Sequence, residues 1–365
     1  MDVGLAVIFQ GTNPKISDNK VYNEEIRLGL LAEELGFQSI WGVEHHFTDY
    51  TMCPDVLQFL SYFAGKSDKL LLGSMVVVLP WHDPMRVAEE VSMLDNMSDG
   101  RMILGIGRGL GRVEFEGFGK DQNISREYFT ESAQMLLQGL EKGYCEFNGT
   151  YIKQLKRDIR PRPFKTFKGR TYAAAVSPES SQIMARLGIG ILIIPQKPWD
   201  MVEKELADYR KIFLEVNGHE PPPPILGGWT FCDKDAGRAE EMAHKYIGGY
   251  YHSVIKHYEL AGDHLKDIKG YEAYAGAQAI VNKSVDAAIE FFKSIQVYGT
   301  PEQCFERIKN FSERTGAGAY NGVFSYAGMP FADAEASMRL FAKEVLPEVR
   351  KLPGKPLMEL LQAAE

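Results

Sequence analysis

Glu44, His45 and His46 follow a short apolar run, Phe37 to Val43, whose pattern predicts a buried parallel strand. Imidazoles exchange protons near neutral pH, so histidines beside a carboxylate at a strand end form a candidate proton-transfer site. The carboxyl end of a strand is also where α/β barrels and open α/β sheets carry their chemistry. Successive side chains of an extended segment point to opposite sides, so His45 faces one way and Glu44 and His46 the other. The two histidines are therefore not expected to share a metal, and His45 is expected to enter the site alone. A pair of satisfied structural histidines is the plainer alternative.

A second group of residues could hold an anion. Gly105-Ile106-Gly107-Arg108-Gly109-Leu110-Gly111-Arg112 begins at the end of another apolar run, where glycines admit a ligand to the backbone and Arg108 can fork onto phosphate oxygens. The spacing is not that of a dinucleotide fingerprint, because residues 113–120 are expected to separate the glycines from the next helix. Ser177-Pro178 reads as a helix start, with Ser177 as N-cap and Ser180 one turn in, and free amides there favour an anion. Ser125-Arg126 opens a further helix, where a cation opposes the helix dipole unless it serves an anion nearby. Two arginines, two serines and a helix start together predict a phosphate cup.

Composition narrows the classes. The chain has 365 residues, 45% hydrophobic and 25% charged, which can bury a large core. A net charge of -8 argues against nucleic acid as a main partner. Cys53, Cys145, Cys232 and Cys304 are scattered, predicting reduced thiols rather than a zinc site or disulfide framework. No apolar stretch approaches the ~18 residues of a membrane span, and no secretory pattern opens the sequence, so a cytoplasmic protein is expected.

Positioning these residues requires a scaffold. Short apolar runs alternate with longer amphipathic ones, predicting strands at 3–9, 37–43, 70–79, 102–106, 170–175, 189–194, 225–231 and 322–325. Helices are expected at 23–35, 54–64, 85–97, 126–143, 179–187, 199–216, 301–314 and 334–351. Eight strand–helix units predict a closed (β/α)8 TIM barrel forming one domain over residues 1–365, with an open doubly wound sheet as the alternative. Two segments break the alternation: a polar excursion at 145–168 after the fourth helix, and 260–295 after the seventh strand. The second leaves from the His45 end and is expected to be a lid.

The same stretches resemble a known family, the bacterial luciferase-like flavin monooxygenases, and within it the light-emitting catalytic subunit most closely. The resemblance is carried by Glu44-His45-His46-Phe47-Thr48, Val77-Val78-Leu79-Pro80, Leu94-Asp95-Asn96-Met97-Ser98-Asp99-Gly100-Arg101 and Gly105-Ile106-Gly107-Arg108-Gly109-Leu110. It continues in register through Phe118-Gly119, Ser125-Arg126, Tyr298-Gly299-Thr300-Pro301-Glu302 and Ser337-Met338-Arg339-Leu340-Phe341. It implies a barrel that binds FMN in its reduced form, FMNH2, and uses molecular oxygen through a C4a-peroxyflavin. By position, Arg108, Arg126, Ser177 and Ser180 would hold the FMN phosphate, and His45 would be the catalytic histidine. Met75-Val76 falls where the family has a cis peptide beneath the flavin ring. Gly107 stands where the light-emitting subunit has a reactive cysteine and Val176 where it has a glutamate, both in the flavin-binding pocket. These two departures put light emission from a long-chain aldehyde in doubt.

The expected activity is oxygenation of a small organic substrate, an aldehyde or ketone, an aromatic ring or a heteroatom. A separate NAD(P)H:flavin reductase is expected as partner, because no dinucleotide fingerprint occurs. A homodimer is expected through the helices at 54–64 and 85–97, whose Val56, Leu57, Leu60, Phe63, Val87, Val91 and Leu94 exceed one barrel-facing stripe. Competing readings are a deazaflavin-dependent hydride-transfer enzyme, a metal-dependent barrel hydrolase using Glu44, His45 and His46 with His82, and a flavin-storage protein. Phe9, Gln10, Trp229, Tyr250, Tyr251 and Tyr326 are expected near the substrate pocket.

Overall fold

The computed structural model describes residues 1–175, 177–354 and 357. Eight parallel strands close into a barrel: β1 (Asp2–Val7), β2 (Ser39–Gly42), β3 (Leu71–Ser74), β4 (Met102–Gly107), β5 (Thr171–Ala174), β6 (Gly190–Ile193), β7 (Ile225–Cys232) and β8 (Ala319–Val323). Closure is made by β1 pairing with both β2 and β8, and by β7 pairing with both β6 and β8. The expected barrel is therefore the observed one.

Some boundaries differ from those predicted, each for a local reason. The third strand is interrupted: β3 ends at Ser74, the Met75-Val76 peptide is cis, and pairing with β4 resumes at Val77–Val78. The eighth strand lies at 319–323 rather than 322–325, because the buried Asn321 in Tyr320-Asn321-Gly322 reads as turn chemistry in sequence but pairs with Gly4 and Gly227. The first helix begins earlier, at Asp18, where Ser17 accepts a hydrogen bond from the Lys20 amide. A six-residue helix, Arg112–Gly117, starts directly after Gly111, in a stretch predicted to be non-helical.

The barrel interior is filled near its base by Trp41, which is fully buried and donates from Nε1 to Ser39 Oγ at 2.8 Å. Its ring lies so close to β3 that a Cβ on Gly73 would stand 2.2 Å from it, so only glycine fits there. On the outside, the seven apolar residues singled out on the second and third helices are all buried within the one chain. Their number reflects packing against the barrel, and the apolar groups left outward on those helices are Tyr62, Met93 and Met97.

The excursion after the fourth helix is an antiparallel hairpin, Tyr144–Asn148 with Lys153–Asp158. Behind it, Arg170 grips Asp95 through two nitrogens, at 2.6 and 3.0 Å, and both side chains are buried. The Phe164 and Lys165 amides donate to the same carboxylate, so Asp95 of the 94–101 motif ties the return strand to the third helix.

After β7 the chain runs almost continuously as helix from Ala236 to His257, through a π-turn at Ala243–Ile247, a stretch to which the sequence reading assigned no element. The predicted lid then forms helices Glu272–Lys283 and Val285–Ser294 over a small core of its own, containing Leu260, Leu265, Tyr271, Val281 and Ala288. A short strand, Val297–Gly299, adds to the outer end of β7.

Candidate active site

A cavity of about 220 Å³ opens at the carboxyl end of the barrel, under the lid. His45 and Glu44 border it from the end of β2, Met75 and Val76 from the break in the third strand, and Gly107 and Arg108 from the end of β4. Arg126, Ser177 and Ser180 border it from the two helix starts. These predicted site residues therefore surround one space; Val176 lies outside the described residues. Of the expected pocket aromatics, Trp229, Tyr250 and Tyr251 line the cavity, whereas Phe9 packs on Tyr22 and Phe59, and Gln10 and Tyr326 border a separate small crevice.

The two histidines separate as the strand geometry requires. His45 Nδ1 lies 3.0 Å from Glu114 Oε1, and its Nε2 lies 3.4 Å from the Tyr258 hydroxyl. His46 turns away: its ring packs edge-on against Trp81 and Phe118, and its Nε2 is 3.1 Å from Glu44 Oε1. His82 Nε2 approaches the same oxygen at 2.6 Å, and the Val78 amide donates to Glu44 Oε2 at 2.9 Å. Glu44 thus braces the chain just past the cis peptide. Burial pushes its carboxyl up, but His46, His82 and the Val78 amide outweigh that and hold it below the usual range. His82 is displaced the other way: burial lowers it, and the Glu44 carboxylate raises it further than burial lowers it.

Glu114 is the main residue that sequence reasoning missed. It sits in the short helix at Arg112–Gly117, fully buried, and its Oε1 also accepts from the His46 amide at 2.9 Å. Burial raises its carboxyl, but the charge of His45 and the two imidazoles beside it outweigh this and bring it down to about 2. A carboxylate ionised at all working pH values thus faces His45 Nδ1, which fixes the tautomer with its proton on Nδ1 and leaves Nε2 toward the cavity. His257 lies behind, its Nε2 3.5 Å from Glu114 Oε1 and its Nδ1 2.8 Å from Thr48 Oγ1. Burial lowers this imidazole below its usual value. The Tyr258 phenol is raised well above its usual range, first by burial and then by Tyr50 and Glu114, so it faces His45 as a neutral hydroxyl.

At the opposite side of the cavity, Arg108 Nη2 and Arg126 Nη2 both donate to the Gly270 carbonyl of the lid, at 2.8 and 2.9 Å. The Arg108 guanidinium stacks 3.9 Å from the Tyr271 ring centroid, and Arg126 also pairs with Glu179, which is largely exposed. Arg108 Nη1 and Arg126 Nε are buried without a hydrogen-bond partner among the described residues. Two guanidinium N–H groups in search of acceptors, beside the hydroxyls of Ser177 and Ser180, fit a phosphate monoester. Between the two ends the wall is aromatic, with Trp229 and Tyr250 centroids 4.1 Å apart and Tyr251 stacked on Phe292 at 4.6 Å.

The model of the luciferase-like monooxygenase family matches residues 1–318. The chain belongs to that family. The alkanal monooxygenase alpha chain of Photorhabdus luminescens is 28% identical over 347 residues, covering 93% of this chain and 95% of its own. The oxygenase component of a flavin-dependent trigonelline monooxygenase from Acinetobacter baylyi is 25% identical over 355 residues, covering 95% of each chain. Among solved structures, a monooxygenase from Streptomyces bottropensis superposes with a TM-score of 0.77 at 26% identity, over 95% of this chain and 99% of that one. This luciferase-like protein is therefore an enzyme of the flavin-dependent monooxygenase class, and a flavin-type cofactor goes with it. No helix of the described residues is long and apolar enough to cross a membrane.

Proposed function

We propose that this enzyme is an FMN-dependent monooxygenase that inserts one oxygen atom of O2 into a small organic substrate and receives FMNH2 from a separate reductase. The observation that carries this reading is the pairing, across one cavity, of His45 on its carboxylate with two arginines that still have donors unpartnered among the described residues. Arg108 and Arg126 would hold the phosphate, with Ser177 and Ser180 beside them, and Met75, Val76 and Gly107 would border the ring. When bound and reduced, FMN would supply the two electrons that the reduction of oxygen requires. The balance is substrate plus O2 plus FMNH2 giving oxygenated product, FMN and water.

The chain's own contribution is proton management and exclusion of water. With Nδ1–H committed to Glu114, His45 gives or takes a proton at Nε2, on the cavity side. The Tyr258 hydroxyl adjoins that atom, and the aromatic wall lines the same cavity. A reductase partner is supported by the likeness to a protein described as an oxygenase component. The test is a substrate panel with FMN, a flavin reductase, NADH and ¹⁸O2. One labelled oxygen in product supports the reading. Turnover only with a reduced deazaflavin in the absence of oxygen would replace it with hydride transfer.

A further inference from the structure

We propose that His45, Glu114 and His257 form a binding site for a divalent metal ion of the zinc type, and that its occupation withdraws His45 from proton exchange. The second half rests on the function proposed above; the site itself does not. One ligand atom from each residue lies within 4.8 Å of the others, and Glu114 and His257 are both more than nine-tenths buried. A tetrahedral zinc ion with bonds of roughly 2.0–2.1 Å sets its ligands about 3.3 Å apart. His45 Nδ1 and His257 Nε2 stand 3.0 and 3.5 Å from Glu114 Oε1, which brackets that spacing. Two imidazoles and one carboxylate are also a ligand set that zinc uses where it keeps an open position.

Two further observations point to an occupant. Glu114 Oε2 and His257 Nε2 are both buried without a hydrogen-bond partner among the described residues, and an unpaired buried polar atom is costly. Both lie against Gly111: a Cβ built there would stand 2.5 Å from the first and 3.1 Å from the second. Glycine at 111 thus lets the carboxylate oxygen and the imidazole nitrogen approach each other without a side chain pressed against them. The rings are held for it. Thr48 engages His257 at Nδ1, which turns Nε2 to the carboxylate, and Tyr50 stacks on that ring at 4.5 Å.

Binding would move the single N–H proton of neutral His45 from Nδ1 to Nε2, and the lone pair freed on Nδ1 would bond the metal. That hydrogen is then fixed on Nε2, so the imidazole can no longer accept a proton from the cavity. Sequence spacing gives no hint of such a site, because its donors come from three distant segments.

The test is cobalt titration of the full chain after chelator treatment. The expected result is visible d–d absorption of tetrahedral intensity, saturating at one equivalent, bleached by Zn²⁺ and lost again with chelator. His257→Ala, which removes a donor, and Gly111→Ala, whose methyl pushes against the Glu114 carboxylate and the His257 ring, should each weaken binding more than about 100-fold, beyond the loss of an outer-shell partner. His46→Ala should keep the absorption, since that ring contacts Glu44. No stoichiometric cobalt absorption in the unaltered protein would overturn the site, whether or not the variants fold, and so would absorption surviving both substitutions. Zn²⁺ that binds without suppressing product formation would overturn the regulatory half alone.

Discussion

Replacing Arg108 with alanine tests the phosphate assignment directly. Its Nη1 has no hydrogen-bond partner among the described residues and its Nη2 rests on the Gly270 carbonyl, so a phosphate entering the cup gains one new charge-assisted bond and exchanges another. The exchanged bond contributes little net. The new one is worth roughly 1.5–3 kcal/mol, which corresponds to about 10- to 150-fold in FMN affinity. Arg108 also stacks on Tyr271, so its loss could loosen the lid and weaken any flavin. Riboflavin, which has no phosphate, separates the two effects. In anaerobic titrations followed by flavin fluorescence or absorbance, the native protein should prefer FMN over riboflavin, and Arg108→Ala should shrink that preference by the stated factor. Arg108→Lys should recover only part of it, since an ammonium keeps the charge but not the fork. An unchanged FMN-to-riboflavin ratio in Arg108→Ala would refute the reasoning, even if both affinities fell.

Three further outcomes are expected. His45→Ala should leave FMN affinity near the native value while product formation falls by roughly 10²–10⁴ and hydrogen peroxide rises, measured by product mass spectrometry with a peroxide assay; normal turnover would remove His45 from the chemistry. Glu25, buried and held protonated up to about pH 7 against 4.5 in an open chain, should destabilise the fold as pH rises from 4.5 to 7. Glu25→Gln should therefore add about 3 kcal/mol at pH 8 and almost nothing at pH 4, read by urea denaturation at both values; an equal effect at the two pH values would contradict the assignment. Light scattering at micromolar concentration should show a homodimer through the helices Val56–Ala64 and Pro84–Met97, where Tyr62, Met93 and Met97 stay exposed, and Met93→Glu should shift it to monomer.

The barrel was legible because its strands are buried on both faces and its helices on one, and the two patterns differ in period. His45 was legible because a strand end and an alternating pleat suffice to place it. The groups that work on His45 were not. Glu114 sits in a helix of six residues, too short for periodicity to register, and His257 and Tyr258 end a helical run whose aromatic content masks an amphipathic stripe. The apolar excess on the second and third helices carried no signal of partnership, since one protomer buries all seven residues. The 94–101 motif likewise resolves into architecture, Asp95 under Arg170 and Arg101 on the Leu70 carbonyl.

The Gly270 carbonyl between the two arginines bears on how an enzyme lives with a borrowed cofactor. Left bare under a lid, two guanidinium groups would be poorly solvated, and a buried resident carboxylate would compete with the incoming phosphate too well; Glu179, the carboxylate that Arg126 does meet, is largely exposed. A neutral oxygen offers an intermediate placeholder, strong enough to keep both side chains aimed and weak enough to yield. Under the function proposed above, reduced flavin enters and oxidised flavin leaves at each turnover, and that middle strength favours rapid exchange in both directions.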